Sequence, residues 1–232
     1  KVIFVCCSKG IEMNSLRLPS QIVASYFPKH SIAVLSGPNF AEEVSRSMPA
    51  ATLIASNKIA TSKKIASIVQ TKLFRPYISD DVVGSQIAGA TKNVYAIACG
   101  IVEGKKFGKN AVASIISRSF AEVSRLNKSM KAKPETLSGL SGMGDLFLTC
   151  SSKKSRNFRL GIDLAKGMTL NSIIKKNSSI AEGVFTARAL KQMSNKKKLN
   201  LPIAETVYQI LYRKKDIDYA IEELLNRPIT SE

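Results

Sequence analysis

The sequence predicts an α/β fold with a partial parallel sheet, followed by an all-α C-terminal part. Three observations predict it. Short runs rich in β-branched and aromatic residues recur over the first third: VIFVCC at 2–7, IAVL at 32–35, ATLIA at 51–55 and FRPYI at 74–78. Helical stretches alternate with these runs, which is the pattern of an α/β sheet. From about residue 82 the strand pattern stops and only helical periodicity remains.

The elements follow in order. The first strand lies at the start of the sequence, although a parallel sheet is normally built from preceding βα units, so the sheet reads as lacking its first half. NFAEEVSRSM (39–48) puts Phe40, Val44 and Met48 on one helix face, and Asn39 with Glu42 resembles a capping box. SKKIASIVQTKL (62–73) lines Ile65, Ala66, Val69 and Leu73 along one face. GSQIAGATKNVYAIACGIVEG (84–104) reads as one long helix, and 111–127 is amphipathic through Val112, Ile115, Ile116, Phe120, Val123 and Leu126. Pro202 marks a helix start before Ile203, Val207, Ile210 and Leu211, and 216–226 forms the last helix. Two domains result, residues 1–82 and 83–232.

The 232 residues suffice for a real core. The longest apolar runs, at 2–7 and 94–102, fall far short of the roughly 20 residues of a membrane span. The start of the chain lacks the length and cleavage site of a signal peptide. Cys6, Cys7, Cys99 and Cys150 show no CxxC spacing, and His30 has no partner at ligand spacing. That reads as reduced thiols in a cytosolic protein without a metal. The net charge of +18 is spread along the chain, lysine outnumbers arginine and tryptophan is absent. Solvated lysine faces explain this better than a nucleic-acid interface, which adds arginine forks and stacking platforms; the charge also suits a phosphorylated substrate.

Four stretches can carry chemistry. On a helix Lys92 shares a face with Ala88, Gly89, Ala96 and Cys99, small residues that let other groups approach. Partial burial and a second lysine would lower its pKa, a nearby carboxylate would oppose that, and the amine could then exchange a proton with a carbonyl/alcohol pair; the plain alternative is a snorkelling lysine. CSKG (7–10) ends the first strand, where α/β sheets bind ligands, so Lys9 can face a phosphate or hydroxyl or else be an exposed turn lysine. In LSGPNFAEEV (35–44) Gly37 allows close backbone approach before a helix N-terminus, or simply joins strand to helix. In LSGMGDLFLTCSSKKSRNFRLG (140–161) Gly142 and Gly144 make a tight turn before Asp145, and Thr149 falls one helical turn later. Ser155-Arg156-Asn157 sets an arginine fork between a hydroxyl and an amide, a donor set for a phosphate monoester, or forms a basic polar loop.

Together these stretches, with MPAATLIAS (48–56), GKNAVASIISRSFAEVSRL (108–126), AEGVFTARAL (181–190) and LPIAETVYQILY (201–212), closely resemble the NAD(P)-dependent glycerol-3-phosphate dehydrogenases of bacterial type. The pairing of GATKN with GMGDLFLTC and SRN is the specific part. The resemblance implies a Rossmann-like cofactor domain and hydride transfer between sn-glycerol 3-phosphate and dihydroxyacetone phosphate, feeding glycerophospholipid synthesis. It implies NAD or NADP as cofactor, a cytoplasmic location, a homodimer, and neither nucleic acid nor an integral membrane position. Lys92 matches the catalytic lysine, which exchanges the C2 hydroxyl proton, and its small neighbours would leave room for substrate and nicotinamide. Lys9, Gly37, Asn39, Asp145, Thr149, Ser155, Arg156 and Asn157 match substrate-side positions. Lys9, Ala41, Arg156, Ile180 and Glu182 match cofactor contacts. Asn39 departs from the family's Ser or Thr. The Gly-rich GxGxxG-type turn has no match in this sequence, which implies weakened cofactor affinity and an unpaired sheet edge.

Two other readings are kept. A β-hydroxyacid dehydrogenase shares the plan and a helix lysine, and a carboxylate substrate in place of a phosphorylated triose would favour it. A basic helical module for nucleic acid or anionic lipid would bind with strong salt dependence.

Overall fold

The computed structural model describes residues 2–176 and 181–229. Its first part is a four-stranded sheet in the order β1 (Ile3–Cys6), β2 (Ser31–Ser36), β3 (Ala50–Ala55), β4 (Phe74–Ser79), with α1 (Pro19–Tyr26), α2 (Ala41–Ser45) and α3 (Ile59–Val69) between the strands. Successive residues point to opposite faces. Ala33 and Ile54 pack with Ile65 and Ala66 of α3, whereas Cys6, Val34 and Ala55 pack on the other side with Val82. The four strand runs fall where the sequence puts them.

The sheet is mixed and not purely parallel. β1 runs parallel to β2 with Cys6 opposite Val34, and β3 runs parallel to β4 with Ala55 opposite Ser79. β2 and β3 are antiparallel, with Leu35 opposite Ile54. The thirteen-residue connection 37–49 is long enough for a parallel crossover, yet it holds only the five-residue α2 and the chain turns back antiparallel. The 39–48 helix read from the sequence is therefore shortened. Its N-cap is Phe40, and no capping box forms at Asn39. The Asn39 amide instead donates across to the Ala51 carbonyl at 2.9 Å. Among the described residues β1 is an edge strand, paired only with β2.

From Val82 onward the described chain is helical: α4 (Val82–Gly104), α5 (Lys109–Ser129), α6 (Pro134–Ser138), a π turn (Leu140–Gly144), α7 (Asp145–Ser151), α8 (Arg156–Ala165), α9 (Leu170–Lys176), α10 (Glu182–Lys197), α11 (Pro202–Arg213) and α12 (Ile217–Leu225). α4 is apolar nearly all round and is buried almost along its whole length, as such a helix must be. Asp81 caps it, accepting from the Gly84 N–H at 2.8 Å. α5, α7, α8, α10 and α11 pack around it. At the α4–α8 crossing the backbones touch: a Cβ on Gly100 would run into the Phe158 carbonyl, and one on Gly161 into the Ile97 carbonyl.

The start of α11 is held from outside. Leu201 at its N-cap has no oxygen to offer, so the carboxylate of Glu122 in α5 accepts from the Ile203 and Ala204 N–H groups at 2.7 and 3.2 Å. The Tyr95 hydroxyl, on α4, donates to the same carboxylate at 3.2 Å. Glu122 is only 1% exposed. Burial pushes its pKa up to about 7, although the two backbone N–H groups favour the charged form.

Candidate functional site

One cavity of about 590 Å³ lies where the sheet meets the helices, bounded by the loop after β1, the start of α2, the middle of α4 and the start of α8. Lys9, Asn39, Ala41, Lys92, Thr149, Ser155, Arg156, Asn157 and Glu182 all line it. These residues are scattered over 174 positions of sequence, and the fold gathers them at a single mouth. Ile180 lies outside the described residues. Gly37 does not line the cavity; it packs on β3, where a Cβ would stand 3.1 Å from the Thr52 Cα.

Lys92 projects from α4 to the cavity floor and is 9% exposed. Its ammonium donates to Asp145 Oδ1, and Lys9 Nζ donates to Asp145 Oδ2 at 2.5 Å. The snorkelling alternative is thus not what is found: the amine ends on a buried carboxylate. The Lys92 pKa is lowered to about 8: burial is the largest cause, Asp145 opposes it and Lys9 adds to it. Asp145 sits behind the two lysines at the first turn of α7, following the π turn that replaces the tight turn read from the sequence. Thr149 continues that turn, its hydroxyl donating to the Asp145 carbonyl at 2.7 Å.

Facing Lys92 is the N-terminus of α8. The SRN stretch is a helix start and not a loop. Ser155 caps it, accepting from the Phe158 N–H at 3.3 Å. Arg156 lines the cavity and makes no ion pair or side-chain hydrogen bond among the described residues. Asn157 is held: its Nδ2 donates to Asn93 Oδ1 at 3.0 Å and its Oδ1 accepts from the Gly183 N–H at 2.9 Å. Free helix N–H groups, an arginine fork and one remaining amide hydrogen make an anion site.

The sequence reading missed Ser8, Asn93 and Arg159, which also line the cavity. Asn93 directly follows Lys92 and could have been found from that adjacency; Ser8 and Arg159 carried no signal of their own. The reading also assigned the space beside Gly89 to ligand, whereas Ser36 and the stem of Lys9 fill it.

Residues 1–62 match the NAD-dependent glycerol-3-phosphate dehydrogenase N-terminus, and residues 81–222 match its C-terminus. The chain belongs to the NAD-dependent glycerol-3-phosphate dehydrogenase family. It is 47% identical to glycerol-3-phosphate dehydrogenase [NAD(P)+] of Caulobacter vibrioides, covering 98% of this chain and 69% of that protein. With the Parvibaculum lavamentivorans protein of the same name it shares 45% over 98% of this chain and 68% of the relative. The crystal structure of the Coxiella burnetii glycerol-3-phosphate dehydrogenase superposes with a TM-score of 0.92 at 36% identity, covering 96% of this chain and 68% of that one. The chain thus spans about two thirds of the length of these relatives. The family is NAD(P)-dependent, carries an NAD-binding N-terminal domain, and interconverts glycerol 3-phosphate and dihydroxyacetone phosphate. The β-hydroxyacid and nucleic-acid readings are not favoured. Among the described residues no helix is long and apolar enough to cross a membrane.

Proposed function

We propose that the cavity binds sn-glycerol 3-phosphate and dihydroxyacetone phosphate, with Lys92 as the proton-transfer group. The observation that carries this reading is Lys92 itself: a buried amine, open to the cavity, with its pKa lowered to about 8. A base tuned near the working pH is what alcohol oxidation needs. At pH 7 about one molecule in ten holds the amine neutral, ready to accept the C2 hydroxyl proton. In the reverse direction the ammonium donates to the carbonyl oxygen. Arg156, Ser155 and the open end of α8 take the phosphate, with Asn157 oriented for the same group by Asn93 and Gly183. Asp145 holds Lys9 and Lys92 together, and Thr149 steadies the turn behind it. Gly37 and Asn39 act at the sheet end, by keeping the β2–α2 loop close to β3.

The donor set also fits a nicotinamide dinucleotide: the Arg156 fork suits a phosphate, and Lys9, Ala41 and Glu182 stand around the same opening. These four, with Ile180, would hold NAD or NADP. Bound nicotinamide supplies the hydride exchange at C2, while the proton goes through Lys92. We assign residues 1–82 to the cofactor side and 83–232 to the substrate side. A cytoplasmic homodimer that binds no nucleic acid is the assembly the family resemblance supports.

Calorimetry with glycerol 3-phosphate tests the substrate side, and loss of nicotinamide absorbance with dihydroxyacetone phosphate and NADH or NADPH tests the reaction. Binding that weakens tenfold or more in Arg156→Ala is expected. A wild-type chain that ignores glycerol 3-phosphate yet binds a hydroxyacid carboxylate would sink the reading.

A further inference from the structure

We propose that Gly89 and Ser36 form the spacer that sets how far Lys9 stands from Lys92 across Asp145. Gly89 lies one helical turn before Lys92 on α4, and Ser36 is the last residue of β2. A Cβ on Gly89 would stand 2.9 Å from Ser36 Oγ, closer than real Cβ atoms come, and 3.5 and 3.8 Å from Cδ and Cε of Lys9. α4, the sheet and the Lys9 stem therefore converge on one bare glycine. Ser36 is 2% exposed and its hydroxyl has no hydrogen-bond partner among the described residues. Its hydroxyl meets the helix by contact alone.

The consequence follows from which element carries each charge. Asp145 rides on α7, which packs on α4 far more extensively than the preceding π turn packs on β3, so Asp145 follows Lys92 more closely than it follows the sheet. Lys9 rides on the loop after β1, and β1 is paired with β2. Widening the Gly89–Ser36 contact draws Lys9 away from Asp145 and leaves the Lys92–Asp145 pair intact. The charged groups facing Lys92 are Asp145 and Lys9, and the Cys150 thiol beside its backbone carbonyl is held neutral by burial. Losing Lys9 removes a repulsion, so Lys92 must then hold its proton to higher pH. The catalytic meaning of the spacer rests on the function proposed above; its geometry does not.

The test is pulse acetylation of the full chain with acetic anhydride over a pH series, read residue by residue by mass spectrometry, on wild type, Gly89→Ala and the double variant Ser36→Ala/Gly89→Ala. In Gly89→Ala the labelling midpoint of Lys92 is expected to rise by about half a pH unit or more, and Lys9 to label severalfold faster. The double variant, with the opposing hydroxyl removed, is expected to return both to wild type. A Gly89→Ala protein with a lower melting temperature but an unmoved Lys92 midpoint overturns the proposal, because a merely structural contact predicts that result. Should Gly89→Ala fail to fold, the double variant decides: a folded protein with the wild-type midpoint supports the spacer, and one that stays unfolded or keeps a shifted midpoint overturns it. Failure of the wild type to bind glycerol 3-phosphate would overturn the functional reading and leave this labelling pattern as it is.

Discussion

Two buried charges on and against one helix have opposite fates. Lys92 and Tyr95 lie three residues apart on α4, and each reaches a carboxylate. The Lys92–Asp145–Lys9 cluster opens on a cavity, whereas the Tyr95–Glu122 cluster is sealed, with Tyr95 inaccessible and every oxygen of Glu122 hydrogen-bonded. Burial moves both pKa values toward neutrality, to about 8 for Lys92 and about 7 for Glu122. The difference is access. A buried titratable group with a path to ligand can do chemistry; one whose partners are all protein atoms can only hold elements together.

Substitutions at four positions break or sharpen that comparison. The largest effect is expected from Lys92→Met, which should lower kcat about a thousandfold while the protein melts at or slightly above the wild-type temperature. A folded native amine at about 8 holds fewer protons than its unfolded counterpart at 10.5. Its burial therefore opposes folding fully below pH 8, and that penalty is relieved as pH rises toward 10.5, so the stability gain of Lys92→Met should vanish over the same window. Steady-state kinetics and thermal melts at several pH values read both.

Glu122→Ala should do the reverse, costing about 3 kcal/mol of stability by stranding two backbone N–H groups and a hydroxyl while leaving glycerol 3-phosphate affinity of the folded protein intact. The native Glu122 carboxyl binds its proton up to about pH 7, against an ordinary 4.5. The stability this confers is present in full below 4.5 and is lost as pH rises through 7. Denaturant melts of wild type should therefore lose stability as pH rises from 4.5 through 7, whereas Glu122→Gln, which has no carboxyl to titrate there, should lack that loss. Next comes Arg156→Lys, which keeps the charge but loses the fork; calorimetry should show glycerol 3-phosphate binding weakened by about tenfold. The smallest effect belongs to the Lys154–Glu43 pair at the cavity rim, 2.7 Å long but exposed on both sides. Lys154→Met should leave the denaturation midpoint unchanged in the same melts, because an exposed ion pair is screened by water.

What the sequence made legible was local. The strand runs, the long α4 helix and the odd position of Lys92 on a small-residue face could be read because side-chain periodicity records burial directly. The direction of β3 could not, because a strand's pattern is the same run either way and the connection before it is long enough for either direction. Asn39 misled for a related reason: its spacing to Glu42 fits a cap, but a carbonyl twelve residues on in β3 claimed the amide. Glu122 was silent altogether, since its partners are backbone groups about eighty residues later, and backbone donors leave no mark in a sequence. Among the cavity residues, Lys9, Lys92, Thr149 and Ser155–Asn157 stood out by their own chemistry, Asn39, Ala41 and Glu182 came only through the family resemblance, and Ser8 and Arg159 carried no signal.

The bare crossing of α4 on α8 has a consequence for what the cavity can accept. With Gly100 and Gly161 in contact through backbone alone, no side chain can re-pack to change the spacing of the two helices. Lys92 rides on one, and Ser155 and Arg156 on the other. In the roles proposed above, the span from phosphate anchor to proton-transfer amine is a ruler cut in main chain, and a substrate would be measured by how many carbons separate its phosphate from the carbon to be oxidised.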